Sequence, residues 1–84
     1  MIHFTLYSRT YCHLCDDMLA ALGALEIVEP TSITVIDVDA DEALVAKYDE
    51  LVPVLLASKD EQAVQQLCHY FLDEAAVRAF IAHV

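Results

Sequence analysis

Ile2, Phe4 and Leu6 alternate with His3, Thr5 and Tyr7, the two-residue period of a strand with one buried face. Ser8-Arg9-Thr10-Tyr11 breaks that alternation. From Cys12 to about Leu25, the apolar residues Leu14, Met18, Ala21, Leu22 and Leu25 recur at three- and four-residue steps, which predicts an amphipathic helix. Glu26 to Ser32, with Pro30, reads as a loop. Ile33-Thr34-Val35-Ile36-Asp37-Val38 is β-branched and mostly apolar and predicts a buried strand. Asp39 and Glu42 have capping-box spacing, so a short helix is expected from about Asp41 to Tyr48. Leu51-Val52-Pro53 leads into a third strand, Val54 to Ala57. The polar turn Ser58-Lys59-Asp60-Glu61 allows a hairpin to a fourth strand between about Ala63 and His69, where Gln65-Gln66 has low strand preference. Asp73 is placed to cap a final helix in which Val77, Phe80, Ile81 and Val84 follow the i, i+3, i+4, i+7 rule.

The predicted order is β-α-β-α-β-β-α. Strands joined through a helix should be parallel with a right-handed crossover, and strands joined by a short turn should be antiparallel. A four-stranded mixed α/β sheet with helices on both faces accommodates every apolar run.

Composition narrows the picture. The chain has 84 residues, of which 58% are hydrophobic, with one Gly and two Pro. That excludes disorder and low-complexity linkers, and residues 1–84 are expected to form one domain. Fourteen acidic residues against four basic ones leave a formal net charge of −10. Four scattered cations cannot neutralise a row of phosphates, so nucleic acid and anionic membrane surfaces are excluded as partners. Three cysteines, an odd number, do not make a closed disulfide framework. The opening residues have neither a basic n-region nor a long apolar stretch, so no leader and no transmembrane helix is expected. A reducing cytosol is the expected compartment. There a close cysteine pair is redox-active or metal-binding more often than structural.

Cys12-His13-Leu14-Cys15 lies where the first strand gives way to the first helix. Residues i and i+3 at a helix start share a face, close enough for a disulfide. The helix N-terminus also supplies unpaired N–H groups and partial positive charge, both of which favour a thiolate at Cys12. Cys15, one turn further in, should be the more protected thiol. This asymmetry suits exchange in which Cys12 attacks a disulfide and Cys15 resolves the product. Zinc binding and inert packing are the competing readings, and the position of the pair favours redox use.

These residues carry a resemblance. A strand, a loop, Cys-x-x-Cys on a helix start and then Val52-Pro53 before a strand resemble the thioredoxin fold in its compact glutaredoxin-like form. Tyr11 to Cys15, the Val-Pro step and the Asp73-Glu74-Ala75-Ala76 helix start resemble a bacterial group of small glutaredoxin-like proteins, over essentially the whole chain. The resemblance implies a cis Val52–Pro53 bond, with Pro53 facing the Cys12–Cys15 pair and the backbone of Val52 open to a bound thiol peptide. It also implies thiol–disulfide oxidoreductase activity. The departures bear on substrate. Glutaredoxins carry a Gly-Gly turn and an acidic residue that help hold glutathione, whereas the corresponding stretch here is Tyr70-Phe71-Leu72-Asp73. Without that close-approach backbone, and at charge −10, glutathione is a poor fit, and neither cofactor nor metal is expected.

Around the pair, protonated His13 would stabilise the thiolate and Arg9 would do the same or meet a substrate carboxylate, each weighed against a solvent-facing role without function. Asp16 and Asp17 suit the first helical turn but oppose the thiolate. Tyr11 and Tyr70 either flank the site or fill the core and its rim. Cys68 reads as a small buried thiol; with His69 it could complete a Cys₃His zinc set only if adjacent strand residues did not point to opposite faces. His3 and His83 carry no functional signal. The expected partners are a protein or small-molecule thiol or disulfide, together with a protein reductant, acting on a monomer. The alternative reading is a non-catalytic thioredoxin-like module that binds a protein through its acidic surface or sheet edge.

Overall fold

The computed structural model describes residues 1–60 and 62–82, so Glu61 of the expected turn, His83, and Val84 of the last helical stripe lie outside the described residues. Strand β1 (Ile2–Ser8) is followed by α1 (His13–Ala24), β2 (Thr31–Asp37), a 3₁₀ turn (Val38–Ala40) and α2 (Glu42–Tyr48). The chain continues through β3 (Val54–Lys59), β4 (Gln65–His69) and α3 (Glu74–Ala82). The sheet order is β2-β1-β3-β4. β1 and β2 run parallel in unbroken register, from Ile2 beside Thr31 to Ser8 beside Asp37. β3 is antiparallel to both β1 and β4. This is the four-stranded mixed sheet expected from the period of the apolar residues.

The alternation in β1 divides the interior. Ile2, Phe4 and Leu6, with Leu55 and Ala57 of β3, pack under Met18 and Leu22 of α1 and Val77 of α3. On the opposite face Val38, Tyr48 and Val54 form a smaller cluster joined by Leu44, Val52 and Leu56. There the Tyr7 and Tyr48 rings stack with centroids 4.6 Å apart. Each aliphatic side chain buried in this way contributes about 1.5–3 kcal/mol.

β2 is not the buried strand its composition suggests. It stands at the edge of the sheet, and Ile33 and Val35 are 38% and 49% exposed. The main core is built from β1 and β3 with the helices above them, and no β2 residue belongs to it. β-branched residues select extended backbone, but a place in the sheet is decided by neighbours distant in sequence.

The capping box at Asp39 is also displaced. The chain first makes its 3₁₀ turn, in which the Asp39 N–H donates to Asp37 Oδ1 at 2.9 Å. The start of α2 therefore moves on, and Asp41 accepts from the Ala43 N–H at 2.9 Å. β3 runs on through Ser58 and Lys59, which pair with His3 and Ile2, and β4 begins at Gln65 rather than at Ala63, so the connection between the two strands lies about two residues further along the chain than expected. Asp73 caps α3 as expected, accepting from the Ala76 N–H at 3.0 Å. Among the described residues no helix is long and apolar enough to cross a membrane.

Candidate active site

β1 and β2 end, and β3 begins, at the same edge of the molecule, and α1 starts there. Tyr11 makes the transition from β1 to α1 with φ 61°, which turns its ring fully into solvent. Cys12 then adopts extended backbone (φ −99°, ψ 106°) as the residue capping α1. Its sulfur accepts the Cys15 N–H at 3.1 Å, satisfying one of the donors a helix start leaves over, and its carbonyl accepts the Asp16 N–H at 3.2 Å, the first regular bond of the helix. Cys12 and Cys15 are joined as a disulfide with their Cα atoms 5.2 Å apart. Cys15 is buried at 3% exposure while Cys12 is half-buried, the asymmetry read from the sequence.

The other residues singled out are distributed unevenly around the pair. His13 is exposed, and its Nε2 lies 3.3 Å from Asp17 Oδ2, one helical turn on. The Arg9 guanidinium meets both Asp39 oxygens at 3.1 Å and also contacts Asp49. Hydrogen bonds to Asp49 and then to Asp39 raise its pKa further, so the cation is held between two carboxylates. No sequence pattern pointed to this arrangement, because its partners lie 30 and 40 residues away.

The Val52–Pro53 bond is cis, as the resemblance implied, and Pro53 is buried. The Val52 N–H is already donated to the Tyr48 carbonyl at 3.2 Å. The expectation of open backbone at this residue is thereby reduced to its carbonyl. The Pro53 carbonyl accepts the Tyr70 N–H at 2.9 Å, tying the segment after β4 to the turn before β3.

That segment holds Tyr70, which the sequence offered as flanking the site or filling the core and its rim, and Phe71, for which the sequence suggested no role of its own. Tyr70, like Tyr11, has a left-handed backbone (φ 64°), and its hydroxyl donates to the Glu50 carbonyl. Neither tyrosine fills the core. Phe71 follows, 69% exposed, its N–H bonded to the His69 carbonyl at 2.8 Å. Together with Leu14, Asp17, Met18 and Ala21 of α1, residues 70–72 line a groove of about 240 Å³. The one available signal was a Tyr-Phe pair between a strand and a helix without the glycine such a turn favours. Cys68 packs half-buried against the main core, and burial pushes its thiol pKa up while a backbone hydrogen bond at Asp73 opposes the shift. Its neighbour His69 is exposed and meets the Tyr70 ring edge-on.

A β2-β1-β3-β4 mixed sheet flanked by helices, with a Cys-x-x-Cys pair at the start of the first helix, defines a thioredoxin-fold protein bearing a redox motif. The family described as Glutaredoxin-like domain (DUF836) matches residues 3–82, and the chain belongs to it. No curated protein matches. Among solved structures, protein Ne2328 from Nitrosomonas europaea is 37% identical with a TM-score of 0.79, covering 94% of this chain and 89% of that one. Protein XcR50 from X. campestris is 30% identical with a TM-score of 0.57, covering 93% of each chain. Oxidised mitochondrial thioredoxin 3 from Saccharomyces cerevisiae shares the fold at 20% identity and a TM-score of 0.67, covering 95% of this chain and 76% of that one.

Proposed function

We propose that the chain is a thiol–disulfide oxidoreductase of the cytosol that cycles between the Cys12/Cys15 dithiol and its disulfide. The observation that carries this reading is the asymmetric pair at the start of α1: Cys12 half-buried and capping the helix, Cys15 buried behind it. In the reduced protein the Cys15 N–H that meets Cys12 Sγ is a donor to a thiolate, and it acts alongside the helix terminus. The Cys12 thiolate attacks one sulfur of a substrate disulfide, forming a mixed disulfide and releasing the other sulfur as a thiolate that takes up a proton. Cys15, deprotonated, then attacks Cys12 Sγ and expels the remaining substrate thiolate. Two electrons and two protons have passed to the substrate, and the protein holds its disulfide. An external dithiol, small or carried by a protein reductant, reverses the two steps.

Val52, Tyr11 and His13 are the proposed substrate-facing residues, with the Val52 carbonyl as the group that meets a substrate backbone, while Pro53, expected from the sequence to face the pair, is buried and serves to set the turn that presents Val52. Arg9, engaged by Asp39 and Asp49, has the weakest claim to that role. Trapping tests the scheme. Cys15→Ser should accumulate mixed disulfides at Cys12, and Cys12→Ser should accumulate none. Equal behaviour of the two variants would remove the assignment of roles.

A further inference from the structure

We infer that the groove between α1 and residues 70–72 selects the substrate of the redox pair, and that it fits a cationic protein segment with an apolar side chain beside its cysteine. The inference rests on the oxidoreductase reading above. The groove begins at Leu14 and Asp17, on the same turns of α1 as Cys15, and closes on Phe71. Tyr70 holds its far wall against the cis turn through the bond to the Pro53 carbonyl. At about 240 Å³ it accommodates a single side chain rather than a folded ligand. Its lining is apolar apart from Asp17, and Phe71 remains 69% exposed although an aromatic ring of that size is ordinarily covered.

Charge settles which segment fits. Asp17 lines the groove with its Oδ2 3.3 Å from His13 Nε2, while Asp73 and Glu74 line the depression on the other side of Phe71. Arg78 meets Glu74 at 3.9 Å through one guanidinium nitrogen while another donates to the Glu26 carbonyl at 2.8 Å. Arg9 is occupied by Asp39 and Asp49. An acidic rim on a protein of net charge −10 attracts Lys or Arg flanking the apolar residue. It repels glutathione, which is anionic and has no apolar side chain to fill the groove.

The experiment compares rates of disulfide reduction by the dithiol protein, with dithiothreitol as reductant. The substrates are hydroxyethyl disulfide, glutathione disulfide and four peptide disulfides of one backbone, with Leu or Ser and Lys or Glu beside the cysteine. The Leu/Lys peptide should exceed the Ser/Glu peptide by roughly tenfold or more in kcat/KM, most of it in KM. Phe71→Ala should erase the Leu-over-Ser preference, and Asp17→Asn should cut the Lys-over-Glu preference by about threefold. Reduction of hydroxyethyl disulfide with all four peptides within twofold, or with glutathione disulfide ahead of the Leu/Lys peptide, overturns this inference and leaves the oxidoreductase reading intact. Reduction of none of the substrates overturns both.

Discussion

The two ends of the sheet are built from the same four strands but by different local rules. At the cysteine end, Tyr11 and Tyr70 take left-handed backbone, the Val52–Pro53 bond is cis, and Tyr11 and Phe71 expose their rings. At the other end the side chains satisfy one another. His3 Nδ1 lies 2.9 Å from Ser32 Oγ, its Nε2 lies 3.3 Å from Asp60 Oδ1, and the Met1 amino group donates to Asp60 Oδ2 at 2.8 Å. Among the described residues there, the left-handed one is Asp60 (φ 39°), a type that tolerates such backbone far better than tyrosine. The left-handed strain of Tyr11 and Tyr70 and the uncovered rings of Tyr11 and Phe71 thus gather at the cysteine end.

The core should not respect this division. Ile2 and Leu6, at opposite ends of β1, are both fully buried in one cluster. Ile2→Ala and Leu6→Ala should each cost about 2–5 kcal/mol, read from urea midpoints at constant m-value. A much smaller loss at Leu6 alone would mean that the cysteine end packs loosely as well as straining its backbone.

The strain itself can be removed. Tyr11→Gly deletes a fully exposed ring at φ 61° and should stabilise the fold by roughly 0.5–1 kcal/mol, the left-handed penalty less the extra freedom of unfolded glycine. Reduction of peptide disulfides should fall in the same variant if the strained tyrosine serves recognition. A stability gain with unchanged turnover would reduce the contrast between the ends to backbone geometry alone.

The smallest effect belongs to the quiet end. The Met1 amino group and then His3 hold the Asp60 carboxyl below its ordinary value of 3.8. A carboxylate with a lowered folded-state pKa contributes stability above its unfolded value and loses it as pH falls through the folded one. Wild type and Asp60→Asn should therefore differ in melting temperature at pH 5 and converge below pH ~3.8. A gap that persists at low pH would transfer the effect from charge to turn geometry.

What the sequence made legible follows from the range of each interaction. The period of Ile2, Phe4 and Leu6, the stripe ending at Leu22 and the position of Cys12 before a helix are local, and the fold and the disulfide pair follow from them. The edge position of β2 depends on which strand lies next to it, and the displaced cap on a 3₁₀ turn that Asp37 stabilises two residues earlier. Left-handed tyrosines were out of reach because turn chemistry announces itself through glycine and asparagine. Arg9 was hardest of all, since a single cation on a loop carries no mark of where its carboxylates will be.

Asp39 lies in the 3₁₀ turn just after β2, and Asp49 caps the C-terminus of α2, within the excursion that leaves the sheet after β2 and returns at β3. By binding both, Arg9 ties the 3₁₀ turn to the end of α2 and holds both to the connection between β1 and Cys12. Seven-residue α2 is far too short to persist unaided, so the guanidinium serves as a noncovalent cross-link for a helix that needs one. Lysine in this position would keep the charge and lose the device, because one ammonium lacks the planar fork that grips one carboxylate with two nitrogens while reaching the other.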